Sequence, residues 1–259
     1  MKKSKLILSP EQKNELLTIQ KEFNDIIKQK TVQIFETGEP KGEGDFFPKP
    51  LGSGVLVEYN NLHYLVTAGH VFEDKDRPTI ILASGATSFL YICDCFEEKT
   101  KWMVSEEPDI AILKFKEDFV QNIDSSIFSF VTQREMVLNH SITDEVRYIL
   151  LGFPETKTKI FHKEKRTVSE IQSYYLEGLQ NKSNANQVAL KFPNKGWTSF
   201  KNDNTFHAGK LNGMSGCGLW YMCASEVKLV GIFTDHIQEE QMLFATKIDV
   251  IHHLLNDIL

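Results

Sequence analysis

Between residues 31 and 246 the apolar residues of this chain come in short runs, and that spacing limits the fold more than any other feature. The first group of runs covers 31–35, 52–59, 62–67, 79–82, 88–92 and 110–115. A second group covers 148–151, 167–175, 187–191, 218–223, 227–233 and 242–246. Each run is strand-sized and rich in Val, Ile, Leu and aromatic residues. Residues 52–59 and 62–67 read as a hairpin across Asn60-Asn61, a pair that tolerates the positive φ of a tight turn. The stretch 36–49, rich in Gly, Pro and charge, reads as a surface loop. Short strands at this density, with almost no helix between them, predict an all-β sandwich or barrels.

Helical spacing occurs at the two ends. Ser9-Pro10-Glu11-Gln12 combines an N-cap serine, a proline at the first helical position and a glutamine that closes a capping box. Leu16, Leu17, Ile19, Phe23, Ile26 and Ile27 then recur on one face, which predicts a helix to about Gln29. Such a helix can dock on the body, bind a regulatory partner or gate a site; docking is the expectation. Residues 248–258 predict a second amphipathic helix. The expected organisation is therefore 1–30 as a helical extension, 31–125 and 126–246 as two β units, and 247–259 as a closing helix.

A net charge of −6 argues against nucleic acid as a partner. The locally basic segment 157–166, with Lys157, Lys159, Lys163, Lys165 and Arg166, reads as a solvated hairpin because no aromatic stacking pattern accompanies it. The charged start, Lys2 to Lys5, is followed only by Leu6-Ile7-Leu8, too short an apolar stretch for a signal peptide. No run approaches membrane-spanning length, so no membrane association is expected. Cys93 and Cys95 are expected on the same side of a strand, too close along the chain for a comfortable mutual bridge. Metal ligation there would need partners at zinc spacing, and none is evident. Cys93, Cys95, Cys217 and Cys223 thus read as free thiols of a reducing, cytoplasmic compartment, with no metal and no cofactor.

Three local patterns carry chemistry. Leu211-Asn212-Gly213-Met214-Ser215-Gly216-Cys217-Gly218 places one serine among three glycines, as a nucleophile would need if nearby N–H groups are to face an incoming carbonyl. Thr67-Ala68-Gly69-His70 places a histidine at the end of an apolar strand, after small residues. Pro108-Asp109-Ile110-Ala111-Ile112 places a carboxylate at the head of another, where burial is costly unless the group is paired. Alone, each has an ordinary structural explanation; together they supply a nucleophile, a base and an acid.

In that order, with Gly52-Ser53-Gly54 before the histidine hairpin and Leu229-Val230-Gly231-Ile232 after the serine, the chain resembles the chymotrypsin-like (trypsin-like) serine peptidases from about Thr31 onward. The resemblance implies two antiparallel six-stranded β-barrels, His70 and Asp109 on the first and Ser215 on the second. It implies a serine endopeptidase acting on protein or peptide through a catalytic triad of Ser215, His70 and Asp109, with an oxyanion hole made by the N–H groups of Gly213 and Ser215. The expected member is disulfide-free, cytoplasmic and prokaryotic.

Departures refine this. Met214 stands where zymogen-activated members carry an aspartate, so activation by a new N-terminus is not expected. Cys217, two residues past the serine, should point away from it. The resemblance puts the first specificity pocket near Gly209, Lys210, Phe233 and Thr234. No Asp or Glu lies in 207–214, which gives no support for a Lys or Arg preference, and Phe233 replaces the histidine of glutamine- or glutamate-cleaving relatives. His207 and His236 lie near this region without an assigned role. The alternative is a weakly active or gated peptide-binding module on the same fold. An α/β-hydrolase is excluded by the order of the three residues.

Overall fold

The structure is a computed structural model that describes residues 9–37, 48–72, 79–83, 90–97, 108–142, 147–161, 166–193, 197–198, 205–206, 210–223 and 226–258. The chain opens with helix α1 (Pro10–Gln29), whose capping box forms as its sequence predicts. The N–H of Gln12 donates to the Ser9 hydroxyl at 3.2 Å, and the N–H of Ser9 donates to the Gln12 side chain at 2.9 Å.

The first strand group folds as β1 (Thr31–Thr37), β2 (Pro48–Tyr59), β3 (Leu62–Thr67), β4 (Thr79–Ala83), β5 (Leu90–Tyr91) and β6 (Ala111–Lys114), with helix α2 (Ile92–Cys95) after β5. All pairs are antiparallel, in the order β5-β4-β1-β2-β3-β6. Among the described residues this sheet is open where a barrel was expected. Its edges approach at one bridge, Phe96 with Phe115, helped by Glu97 N–H to Lys114 C=O at 3.1 Å and Lys116 N–H to Cys95 C=O at 2.8 Å. The cause is local: the segment read as a strand carrying Cys93 and Cys95 makes one helical turn, which ends β5 before a β5–β6 ladder can form. β2 also starts earlier than expected. Pro48 and Pro50 pair with Thr37 and Phe35, past a bulge at Leu51 of β2 that faces the Ile34–Phe35 step of β1, and bulges are among the places where a sheet accepts proline.

Helix α3 (Glu117–Asn122) leads to the second group: β7 (Arg147–Gly152), β8 (Thr158–Phe161), β9 (Arg166–Ser169), β10 (Gln172–Gly178), β11 (Gln187–Lys191), β12 (Trp197–Thr198), β13 (Thr205–Phe206), β14 (Gly218–Cys223), β15 (Glu226–Ile237) and β16 (Met242–Lys247). Six of these close a barrel, β10-β11-β16-β15-β14-β7. The run 167–175 splits in two. Its first part joins β8 in a separate basic hairpin, and Gln172 begins the barrel strand. Lys159, Phe161 and Val168 are exposed on that hairpin. Helix α4 (Ile248–Ile258) ends the described chain.

Strand periodicity explains why several runs are apolar throughout. Leu56 and Leu65 pack inside the first unit, whereas Val55, Val57 and Val66 face the other way. Tyr148 and Leu150 fill the barrel, whereas Ile149 and Leu151 face outward. The outward sets meet in one layer with Ile112, Trp220, Leu229 and Ile232. Phe23 and Ile27 of α1 and Ile251 and Leu255 of α4 join that layer, so α1 is docked. Burying each such side chain stabilises by about 1.5–3 kcal/mol. Lys30 caps α1, its N–H donating to the Ile27 carbonyl at 3.0 Å, and its ammonium pairs with Glu135 and donates to the Phe130 carbonyl at 3.3 Å. Among the described residues no helix is long and apolar enough to cross a membrane.

Candidate active site

The β3–β6 register brings the histidine and the aspartate together. Thr67 pairs with Ala111 and Val66 with Ile112, so the residues just past one strand face those just before the other. After β3 the chain makes a short 3₁₀ turn, Gly69–Phe72, which carries His70. Gly69 must be small there: a Cβ would sit 2.7 Å from Asp109 Oδ1. The His70 N–H donates to Asp109 Oδ1 at 2.8 Å, and His70 Nδ1 lies 2.6 Å from Asp109 Oδ2. Burial alone would raise the Asp109 carboxyl; hydrogen bonds from the His70 ring and from the N–H groups of His70 and Gly69, with the attraction of the ring, hold it below the usual carboxylate range.

Ser215 lies on a turn ahead of β14. Two N–H groups close that turn on itself, Met214 to Leu211 at 2.9 Å and Cys217 to Met214 at 3.0 Å. Two more tie it to β15, Gly216 N–H to Phe233 C=O at 2.7 Å and Phe233 N–H to Cys217 C=O at 2.8 Å. Gly213 and Gly216 have φ of +86° and +88°, a region L side chains rarely adopt. A Cβ on Gly213 would also meet Glu155 N and Phe153 O at 2.8 Å, and one on Gly216 would collide with Thr67 and Ser53. Among the described residues, no backbone carbonyl takes the N–H of Gly213 or Ser215.

Met214 and Cys217 are fully buried on the barrel side of the turn. Burial pushes the Cys217 thiol far above its ordinary pKa, so it stays protonated. Cys217 and Cys95 are free thiols. The side chains of Cys93 and Cys223 lie outside the described set.

His70, Asp109 and Ser215 line one cleft of about 1120 Å³, with Leu211, Asn212 and Phe233. Of the residues expected at the specificity pocket, Phe233 and Thr234 line this cleft. Lys210 is exposed and does not line it, and Gly209 and His207 lie outside the described residues. The rest of the wall is mostly polar: Asn184 and Asn186 from the loop before β11, Gln187 at the start of β11, Asp235 and His236 near the end of β15 and Gln238 just past it, with Pro108 and Ala185 the apolar members. Burial lowers the pKa of His236, against the opposing charges of Asp235 and Glu239. Its ring meets Phe192 edge-on at 5.4 Å. The 184–187 contribution had no sequence signal, because only tertiary folding carries that loop to the cleft. Among the described residues no cluster of His, Cys, Asp and Glu is placed to hold a metal ion.

No family model matches the chain, and no curated protein matches it in sequence. Among solved structures it is similar to a double mutant of human heparin-binding protein (CAP37), with a TM-score of 0.56 and 13% identity over 89% of this chain and 91% of that one. At that identity the likeness is one of fold. Together with the closed six-stranded barrel, it gives the chain a mostly β architecture like that of the chymotrypsin-like serine proteases.

Proposed function

We propose that the protein is a serine endopeptidase that hydrolyses peptide bonds through Ser215, His70 and Asp109. The observation that carries this reading is the 2.6 Å contact between Asp109 Oδ2 and His70 Nδ1 at the wall of the cleft that also holds Ser215. A carboxylate so placed keeps the proton on Nδ1 and leaves Nε2 as the base. Ser215 passes its proton to His70 as its oxygen attacks the scissile carbonyl. Asp109 stabilises the imidazolium that results. His70 then protonates the leaving amine, and water resolves the acyl-enzyme by the same steps in reverse.

The developing oxyanion is received by the N–H groups of Gly213 and Ser215. Support comes from the peptide before Gly213: its carbonyl, on Asn212, accepts the Glu155 N–H at 2.7 Å. In a planar trans peptide the N–H opposes the C=O, so the Gly213 N–H is turned away from Glu155. Cys217 has no part in this chemistry, being buried and protonated.

The substrate is an extended peptide. Pairing between β14 and β15 ends at Gly218 with Ile232, so β15 runs on beyond its neighbour along the cleft. Among the described residues no strand pairs with 234–237 on that side, an edge that suits strand addition. The cleft's amide and hydroxyl groups suit polar substrate side chains. With Cys95 and Cys217 free, the enzyme is suited to a reducing compartment such as the cytoplasm. Labelling by a fluorophosphonate, lost in Ser215→Ala, is the test.

A further inference from the structure

The turn that carries Ser215 belongs to the barrel, yet part of its fastening lies in the other sheet. Ser53 on β2 is fully buried and reaches the turn by two hydrogen bonds. Its N–H donates to the Ser215 carbonyl at 2.8 Å. Its hydroxyl donates to the Gly213 carbonyl at 2.9 Å and accepts the Phe153 N–H at 3.1 Å. Its own carbonyl accepts from the Thr67 hydroxyl at 2.7 Å, at the end of the strand that leads to His70.

These bonds form a closed circuit. Phe153 begins the segment whose Glu155 N–H holds the Asn212 carbonyl, and the Phe153 carbonyl lies against Gly213. The carbonyls of Asn212, Gly213 and Ser215 are thereby all taken by donors outside the turn. A peptide plane whose carbonyl is held cannot flip without breaking that bond: the Glu155 bond fixes the Asn212–Gly213 plane and so the Gly213 N–H, and the Ser53 bonds fix the Gly213–Met214 and Ser215–Gly216 planes on either side of the peptide that carries the Ser215 N–H. Gly213, with its positive φ and no side chain, is otherwise the easiest place for the turn to flip. Met214, next to the serine, is apolar and buried, so no charge at that position anchors the turn.

We propose that Ser53 is a positioning residue for the reaction: its hydroxyl, by joining Gly213 to Phe153, holds the peptide plane between the two donors and so keeps the N–H groups of Gly213 and Ser215 toward the cleft. The inference rests on the peptidase reading above. It supplies what Met214 leaves out, a fastening that is neutral and forms on folding rather than on cutting the chain.

The test compares Ser53→Ala and Ser53→Cys with wild type, using Tyr59→Phe as a control for the loss of a buried hydroxyl. Tyr59 bonds His252 and Asn256 beside α4, on different partners from the turn. With a peptide substrate, Ser53→Ala is expected to lower kcat about 10²-fold, the lower end of the loss seen on removing one oxyanion donor. KM should stay within about threefold, and affinity for a peptide trifluoromethyl ketone should fall in step with kcat. Ser53→Cys, whose thiol is a weak donor, should fall between. Tyr59→Phe should lower the melting temperature and leave kcat alone. A folded Ser53→Ala with wild-type kcat, or a loss confined to KM, would overturn the proposal. If Ser53→Ala does not fold, Ser53→Cys decides: full kcat overturns, reduced kcat with unchanged KM supports. If wild type itself shows no Ser215-dependent labelling, the peptidase reading fails separately. Amide exchange over 211–216 still judges Ser53 in that case, faster exchange in the variant supporting the fastening and unchanged exchange overturning it.

Discussion

Asp109 gives both of its carboxylate oxygens to His70, Oδ1 to the backbone N–H at 2.8 Å and Oδ2 to the ring at 2.6 Å. One residue thus fixes both the turn on which the histidine sits and the direction its ring faces. Asp109→Asn keeps an acceptor for the backbone bond but presents an N–H, or a neutral oxygen, to the ring. We expect a folded protein with kcat lowered about 10⁴-fold, as when an aspartate so placed is replaced by its amide. Steady-state kinetics beside a thermal melt checks this; a loss below tenfold would mean Asp109 serves the fold alone.

Gly213→Ala introduces a Cβ at φ +86°, against Glu155 and Phe153. The turn must shift, and the N–H of residue 213 shifts with it. The expected result is a loss of about 2.7–4 kcal/mol of transition-state stabilisation, about 10²–10³ in kcat. A lowered melting temperature should accompany it. Kinetics on the soluble variant measures the first and calorimetry the second.

Glu135 reports how α1 is held. Burial alone would raise its carboxyl, but hydrogen bonds from Lys30 and Thr132 and the Lys30 charge hold it below the usual range. A carboxyl lowered on folding contributes stability above its unfolded pKa of about 4.3, and that contribution is lost as pH falls through the lower, folded value. Glu135→Gln leaves Lys30, only 7% exposed at its side chain, without its charge partner. We expect it to destabilise by about 2–3 kcal/mol near neutrality, below the 3–5 of a fully buried pair because Glu135 is partly solvated. The difference from wild type should hold from pH 6 to 8 and narrow below about pH 4. Urea unfolding across that range is the measurement.

The docking of α1 has its own test. Ile27 is fully buried between the sheets. Ile27→Ala should cost about 2–5 kcal/mol of stability, as for any core isoleucine, while Ser215 labelling at a temperature where the variant is folded stays intact. A helix serving only as a partner-binding arm would tolerate the change.

Legibility in the sequence followed the range of the interactions. The helix start at Ser9 and strands such as β11 and β14 were readable because caps, turns and apolar runs act locally. His70 and Asp109 were each legible at the end of an apolar strand, but their meeting was expected only through the family resemblance, because the β3–β6 register is a long-range pairing. The basic hairpin hid its strand β8, since Thr158, Lys159 and Ile160 carry little apolar signal. Two prolines disguised the start of β2, and alternating residues around Cys93 and Cys95 imitated a strand where the chain makes a helical turn. Asn184 to Gln187 and the Ser53 hydroxyl were beyond reach of pattern, because their partners lie far away along the chain.

The most direct measurement of the central claim is the site and stoichiometry of fluorophosphonate modification, located by mass spectrometry of the digested protein. One label per chain is expected, on Ser215, absent from Ser215→Ala and strongly slowed in His70→Ala. Modification that persists in Ser215→Ala, or a folded wild-type protein that takes no label, would contradict it.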